Sequence, residues 1–202
     1  MMASPISIQE LNTMKASLAG RVANTTLHEN DALLPLFEAV VNSIQSIAES
    51  ENRSKGQIGI FIERVQQQTT DGKLDSNAPI VNFSITDNGV GFTDENLESF
   101  NTLDTTKKKS FGCKGMGRIL WLKAFDKVEI LSVFKANDGL FYKRTICFDT
   151  KNEVVVDPLE RMSGATQAST TVRLLGFRDP YQSKAPVRLQ TLVDKLLAHC
   201  IR

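Results

Sequence analysis

Residues 33–47 read LLPLFEAVVNSIQSI, and this stretch predicts the helix around which the rest of the chain is organised. Its apolar residues recur at helical spacing and form a wide apolar face. Asp31 lies just before the stretch and predicts the N-cap. Pro35 is tolerated only in the first turn of a helix. We therefore expect a helix over residues 31–50 with one face in the core.

Two polar residues lie beside the apolar face of this helix. Glu38 and Asn42 are four residues apart, so their side chains emerge on one face, one turn from each other. Burying them is costly unless something binds them. One interpretation is a magnesium ion held by the Asn42 oxygen, with a water positioned by the Glu38 carboxylate. The other is structural: Glu38 is solvated and Asn42 caps a neighbouring strand.

An acidic glycine turn, residues 87–91 with the sequence DNGVG, directly follows an apolar stretch. The glycines permit a sharp turn and a close approach of the backbone. An ionised Asp87 at the end of a strand can accept a hydrogen bond from an exocyclic amine such as that of adenine. Similar turns are common without any ligand, so an ordinary turn stays open at this point.

A second glycine-rich segment, residues 111–118 with the sequence FGCKGMGR, comes just before another predicted helix. Free backbone N–H groups at a helix start form an anion site, and glycines let phosphate oxygens approach them. Lys114 and Arg118 would add positive charge. The spacing is neither a P-loop nor a dinucleotide fingerprint. The lysines at 107–109 are either a solvated face of a lid or a further contact to a triphosphate.

The remaining pattern predicts an α+β protein. We expect strands at residues 58–62, 80–85, 127–135, 140–148, 153–156 and 170–177, and further helices at 6–27, 94–100, 117–125 and 187–199. Residues 137–139 (NDG) predict a hairpin turn. The order lacks the strand–helix alternation of a doubly wound sheet. A two-layer α/β sandwich, with helices on one face of a mostly antiparallel mixed sheet, fits best.

The composition narrows the classes of partner. The net charge of +1 over 202 residues gives no global attraction to nucleic acid or acidic membranes, although a local patch could still bind nucleic acid. No apolar run reaches the roughly 18 residues that span a bilayer. Three scattered cysteines and two histidines do not predict a zinc site. With no signal peptide in the sequence, we expect free thiols and a cytoplasmic location.

In this order and spacing, the motifs resemble the GHKL superfamily. This Bergerat-fold group contains gyrase B, the ninety-kilodalton heat-shock chaperones, MutL and the sensor histidine kinases. The pair at 38 and 42 resembles the N-box, residues 87–91 the next box, residues 112–117 the lid-end glycine box, and residues 169–172 the last box. The resemblance spans residues 31–177 and implies a Bergerat fold that binds ATP and Mg²⁺.

The resemblance also implies roles for individual residues. Glu38 would be the general base that orients the attacking water, and Asn42 would bind magnesium. Asp87 would contact the adenine amine, Gly89 and Gly91 would shape the base pocket, and Thr170 would support the adenine side. The full set of implied nucleotide-binding residues is Asn42, Asp87, Gly89, Gly91, Lys114, Gly115, Met116, Gly117, Arg118 and Thr170.

Some residues depart from the pattern of the superfamily. Gln45 stands where chaperones and MutL usually have an aspartate, Ser169 replaces the usual glycine, and Arg118 replaces a common aromatic residue. The lysine that gyrase B and MutL send to the terminal phosphate from a following domain has no assignable counterpart. We therefore expect the isolated domain to hydrolyse ATP slowly or not at all.

Three functions compete at this stage. The first is an ATPase switch, in which ATP closes a lid at 92–116 and the closed form dimerises or docks another domain. The second is a nucleotide-gated binding module that does not hydrolyse ATP. The third is a histidine kinase, which Glu38 disfavours because such kinases usually lack a glutamate at that position.

We expect three parts along the chain. Residues 1–28 form a helical arm, packed on the domain's own core or swapped onto a partner subunit. Residues 29–180 form the ATP-binding domain. Residues 181–202 form a helix that begins a connection to a further domain of a longer protein.

Overall fold

The computed structural model describes residues 17–101 and 117–201. The helices are α1 (Leu18–Asn24), α2 (Leu34–Ala48), α3 (Asp94–Asn101), α4 (Gly117–Ala124), α5 (Tyr181–Lys184) and α6 (Leu189–Cys200). The strands are β1 (Ile58–Arg64), β2 (Ile80–Asp87), β3 (Phe125–Lys135), β4 (Phe141–Asp149), β5 (Glu153–Val156), β6 (Glu160–Arg161) and β7 (Ser169–Phe177). Short 3₁₀ turns at Glu29–Asp31 and Arg53–Lys55 complete the elements.

The strands form one seven-stranded sheet in the order β1-β2-β7-β3-β4-β5, with β6 paired to β4. Every strand pair in the described residues is antiparallel. Alternate residues of β2, β7 and β3 are buried, and they join the apolar residues of α2 and α4 in one hydrophobic core. The predicted α+β two-layer sandwich is confirmed, with a sheet that is more uniformly antiparallel than expected.

Helix α2 begins three residues later than its sequence predicts. Asp31 belongs to the preceding 3₁₀ turn, in which its backbone N–H donates to the His28 carbonyl at 2.9 Å. Leu33 occupies the N-cap position without a side-chain cap. The prediction that Asp31 caps the helix is therefore wrong, because a separate turn intervenes. Pro35 lies in the first turn, as predicted.

The other predicted elements differ from the observed ones mainly at their ends. The hairpin turn at residues 137–139 is present, with the Gly139 N–H donating to the Ala136 carbonyl at 2.9 Å. Strand β6 and helix α5 were not predicted, because each is too short to show a periodic pattern. No described helix is long and apolar enough to cross a bilayer.

Helix α1 packs on the domain's own core. Leu18 and Val22 are buried in it, and the Lys123 ammonium donates to the Val22 and Ala23 carbonyls at 3.1 and 3.2 Å. These contacts fit the first of the two interpretations of the N-terminal arm for the part from Leu18 onward. Residues 1–16 of that arm lie outside the described residues.

Candidate functional site

A cavity of about 170 Å³ lies between α2, the sheet and the helices α3 and α4. Segments that are distant in sequence meet there. Its walls come from the middle of α2, the end of β2, the start of β7 and the first turns of α4. The lining residues are Glu38, Ala39, Asn42, Ser43, Gln45, Ser46, Glu49, Asp87, Gly91, Phe92, Asn96, Ser99, Phe100, Gly117, Arg118, Trp121, Thr170 and Val172.

Most of the residues implied by the superfamily resemblance lie at this cavity. Those that line it are Glu38, Asn42, Asp87, Gly91, Gly117, Arg118 and Thr170. Gly89 is not among the described residues that line the cavity and instead packs against Ser46 of α2. Lys114, Gly115 and Met116 lie outside the described residues, as do the lysines at 107–109.

Asp87 is the buried acid at one end of the cavity, with 4% of its surface exposed. One carboxylate oxygen accepts the Ser43 hydroxyl at 2.8 Å and the other accepts the Gly89 N–H at 2.9 Å. Burial raises the pKa of Asp87, while these bonds and one from the Ser46 hydroxyl act against the rise. A carboxylate has about four lone-pair sites, so Asp87 keeps acceptor capacity for a ligand.

The acidic turn packs directly against helix α2. A Cβ added at Gly89 would lie 2.2 Å from the Ser46 hydroxyl oxygen and 2.5 Å from the Ser46 carbonyl carbon. The next residue, Val90, donates its N–H to the Ser46 carbonyl at 3.2 Å. Only glycine allows this approach, and the approach holds Asp87 in place against Ser43 and Ser46.

A row of polar side chains crosses the inner face of the sheet beside Asp87. Asp87 pairs with Thr170, Thr170 with Ser132, and Ser132 with Arg144, across the strands β2, β7, β3 and β4. All four residues are buried, and the Ser132 and Thr170 hydroxyls lie 3.0 Å apart. We call these four residues the polar row. The neighbouring inner row of the same strands is apolar: Ile85, Val172, Ile130 and Ile146.

Glu38 precedes Ser43, the partner of Asp87, by five residues on α2, so it lies toward the other end of the cavity, against the start of α4. A Cβ added at Gly117 would lie 2.8 Å from the Glu38 Oε2 atom. Burial raises the pKa of Glu38, and the nearby His199 lowers it by less. Among the described residues, neither Glu38 nor Asn42 makes a side-chain hydrogen bond. Both therefore keep their polar atoms available to the cavity.

Two contacts fix the helix that begins at Gly117. The Trp121 indole N–H donates to the Pro35 carbonyl at 2.9 Å, which joins α4 to the first turn of α2. The Arg118 guanidinium lies over the Phe100 ring, with its Cζ 5.1 Å from the centroid. Residues on the two sides of the segment 102–116 are therefore in direct contact.

Several lining residues were not predicted from the sequence. Ser43 and Ser46 hold the acid and its turn, while Phe92, Phe100 and Trp121 supply the apolar surface. Ser43 follows Asn42 directly, and Ser46 lies about one turn further along the same helix. Their spacing from Glu38 and Asn42 could therefore have predicted that they lie at the site. The aromatic residues carried no such signal, because aromatic residues near a helix are usually core.

The described residues contain no cluster of three or more His, Cys, Asp or Glu side chains that could hold a metal on its own. Asn42, the predicted ligand, lines the cavity, and its amide oxygen can take one position of a magnesium ion. Such an ion would have to take its remaining ligands from water or from a bound phosphate group.

No protein-family model matches this chain, and a search of curated proteins finds no relative. The superfamily resemblance therefore depends on the motif residues quoted above.

Proposed function

We propose that this chain binds ATP with Mg²⁺ and hydrolyses it, using the bound nucleotide to switch conformation. The observation that carries the proposal is the meeting of Glu38, Asn42, Asp87 and Gly117 around one cavity. Glu38 and Asn42 share α2, whereas Asp87 at the end of β2 and Gly117 at the start of α4 have no local sequence reason to lie close to that pair. Their chemistry suits the two ends of a nucleotide.

The end of the cavity at Asp87 suits an adenine base. The carboxylate is fixed by Ser43 and the Gly89 N–H and still has acceptor capacity, so it can take the exocyclic amine of adenine. Thr170 lies beside it on the next strand, and Phe92 offers an apolar surface for a flat ring. Guanine, with a carbonyl oxygen at the matching position, would face a carboxylate acceptor and be disfavoured.

The end at Glu38 suits the triphosphate. The first turn of α4 brings backbone N–H groups to the cavity at Gly117 and Arg118, where phosphate oxygens are favoured. Bound magnesium would neutralise phosphate charge, and Asn42 is the residue placed to hold it. Glu38 would accept the proton of the attacking water. Its raised pKa brings it closer to neutral pH, where a general base works best.

The switch would act where Phe100 of α3 contacts Arg118 of α4 beside the cavity. Nucleotide entering between Arg118 and the sheet would change this contact, and the lid at 92–116 stays a prediction. ATP-dependent homodimerisation or docking of a further domain would be the readout, and a cytoplasmic location and any contact with nucleic acid remain predictions.

The test is a paired measurement of binding and turnover. Calorimetric titration of the chain with ATP and magnesium should show saturable binding. Wherever the wild type turns over ATP, alone or within a longer form of the protein, Glu38→Ala should keep that binding and lose roughly 10²–10⁴-fold in phosphate release, the usual contribution of a general base. Glu63→Ala, on strand β1 with its side chain bonded to Asn82, is the matched control and should change neither quantity.

The outcomes separate the competing functions. An absence of ATP binding by the wild-type chain would refute the proposal. Tight binding with no phosphate release, also in any longer form of the protein, would indicate a non-hydrolysing binding module. Acid-labile phosphoprotein after incubation with labelled ATP would indicate a histidine kinase. Unchanged turnover in Glu38→Ala would remove Glu38 as the base.

A further inference from the structure

Arg144 is an unexpected residue in the core-facing side of the sheet. Only 3% of its side chain is exposed, and its neighbours along β4 on the same face are Ile146 and Phe148. Burying a guanidinium carries a large desolvation penalty unless it is well bonded. Its Nε has no partner in the described part of the chain, which adds to that penalty. An apolar side chain would fill this position more favourably.

The hydrogen bonds of Arg144 all go to one short segment. Its Nη1 donates to the Phe92 carbonyl at 2.6 Å, and its Nη2 pairs with the Asp94 carboxylate. The Arg144 Cζ lies over the Phe134 ring, 4.6 Å from its centroid, at a distance that suits a cation–π contact. The Asp94 side chain itself is 85% exposed, so Arg144 carries nearly all of the burial of this ion pair.

The same segment is held from its other side by Ser132. The Phe92 N–H donates to the Ser132 hydroxyl at 2.8 Å, so adjacent members of the polar row bond the two sides of one residue. Gly91, just before it, has φ of +82° and its carbonyl accepts from the Asn96 amide at 2.9 Å. The chain is therefore fixed where it leaves the sheet and enters α3.

This segment forms one wall of the cavity. Phe92 lines it, and so do Asn96, Ser99 and Phe100 of the helix that begins at Asp94. Arg144 is not among the described residues that line the cavity. The polar row thus runs from the acid at one end of the site to the arginine that fixes the opposing wall.

We propose that Arg144 is a positioning residue for the nucleotide: by holding Phe92 and the start of α3, it fixes the wall that packs on the nucleoside. This inference rests on the proposed function. Because Arg144 bonds the start of this wall at Phe92, which Ser132 links to Thr170, and makes no hydrogen bond to Glu38 or Asn42, Arg144 sets the affinity for ATP and leaves the turnover of bound ATP nearly unchanged. We also expect Phe92 and the start of α3 to be ordered before nucleotide binds.

The first experiment needs no nucleotide. Arg144→Met keeps an unbranched side chain as far as the position of Nε and removes the rest of the guanidinium with its charge and donors. In the full chain, hydrogen exchange of the Phe92 amide and of residues 93–101 should accelerate about tenfold, the effect of losing a charged hydrogen bond. Amides shared by β2 and β7 should keep their wild-type rates.

The second experiment uses ATP with magnesium as the probe. Arg144→Met should raise the Kd about tenfold and change turnover at saturating ATP by less than about threefold. Arg173→Met is the control. It removes an arginine from the same sheet, but one that is 54% exposed and paired with Glu129 away from the cavity. It should match the wild type in both experiments.

Three results would overturn the proposal: unchanged exchange at residues 92–101, faster exchange across the whole sheet, or loss of turnover with an unchanged Kd. If Arg144→Met does not fold, the exposed Asp94→Ala replaces it, with the same pattern expected at a smaller size and the same results counting against it. If the wild type does not bind ATP, the proposed function fails, while the exchange experiment still decides whether Arg144 holds this wall.

Discussion

The two ends of the cavity are built differently. At the Asp87 end, the carboxylate already accepts bonds from Ser43 and Gly89, and the turn is packed against the backbone of α2. At the Glu38 end, the side chains of Glu38 and Asn42 make no hydrogen bond within the described residues. One end is organised before any ligand arrives, and the other keeps its polar groups for the ligand.

The difference indicates a division of labour. An acid that neighbouring donors already hold in place can discriminate between bases, because an ill-matched base leaves buried groups unpaired. In the proposed function, the polar groups at the Glu38 end would need freedom to bond water, metal and phosphate in turn. Substitutions at the first end should therefore act mainly on stability and affinity, and substitutions at the second end mainly on turnover.

The largest effect that separates the two ends is expected from Gly117→Ala. The added Cβ would meet the Glu38 Oε2 at 2.8 Å and the Glu38 Cβ at 3.3 Å, so the carboxylate must move. Misplacing a catalytic group by about 1 Å lowers rates roughly 10²-fold. Alanine also favours a helix over glycine, so the melting temperature should not fall. Phosphate release and thermal denaturation measured together test this; a large drop in melting temperature would contradict it.

Gly89→Ala should behave in the opposite way. Here the new Cβ would lie 2.5 Å from a backbone carbon of Ser46, which cannot turn aside. We expect the free energy of unfolding to fall by about 1–3 kcal/mol, as in overpacked cores. Urea denaturation measures it. Gly59→Ala is the control, since nothing lies within 4 Å of the added atom. Equal stability of the two variants would remove the distinction between the ends.

Asn42→Ala tests whether a magnesium ion binds at the Glu38 end, as proposed. If Asn42 supplies a magnesium ligand, its loss should weaken binding of ATP in the presence of magnesium about tenfold, the size of one lost charged hydrogen bond or ligand. Binding of ATP in excess chelator should be nearly the same in wild type and variant. A calorimetric comparison in the two buffers measures this, and an equal loss in both would show that Asn42 contacts the nucleotide and not a metal.

The smallest expected effect is the pH dependence of Asp87→Asn. Burial raises the pKa of Asp87 in the folded protein, so the folded state binds a proton more tightly than the unfolded chain. Ionised Asp87 therefore weakens the fold at neutral pH, and the wild type recovers this loss as the pH falls through the raised pKa. Relative to the wild type, the variant should therefore gain stability as the pH rises from about 4 to 7.

Asp138→Asn is the control of opposite sign. Hydrogen bonds from the Leu140 N–H and the Tyr142 hydroxyl lower the pKa of Asp138. Ionised Asp138 stabilises the fold above the unfolded pKa, and that contribution disappears as the pH falls through the lowered value. The variant should thus be less stable than wild type at neutral pH and match it in acid. Melting temperatures between pH 3 and 8 compare the pair, and parallel curves for the two variants would refute the assignment.

Much of the fold could be predicted from local pattern. Helix α2, strands β1 to β4 and β7, and the 137–139 turn all follow from periodicity and turn residues, which depend on near neighbours in sequence. The prediction for Asp31 is wrong because another local structure forms at this residue. Asp31 has the chemistry of a helix cap, but it lies within the 3₁₀ turn at Glu29–Asp31, before the helix begins.

The candidate site could be predicted only in its motif residues. Glu38 and Asn42 share one helix, so spacing alone puts them on one face. The bond from Ser43 to Asp87 joins residues 44 apart, and the bond from Arg144 to Phe92 joins residues 52 apart. No local pattern contains such pairs, and serine and arginine are common in surface positions.

The sequence by itself determined which groups are available: a carboxylate and an amide one turn apart, an acid at a strand end, and glycines where chains must approach closely. Only the tertiary structure decided that they meet, and that Ser132, Thr170 and Arg144 form one row with Asp87 across four strands. The physical reason is that the register of an antiparallel sheet is set by the packing of the whole inner face. The four polar residues become neighbours only when all four strands are paired in this register.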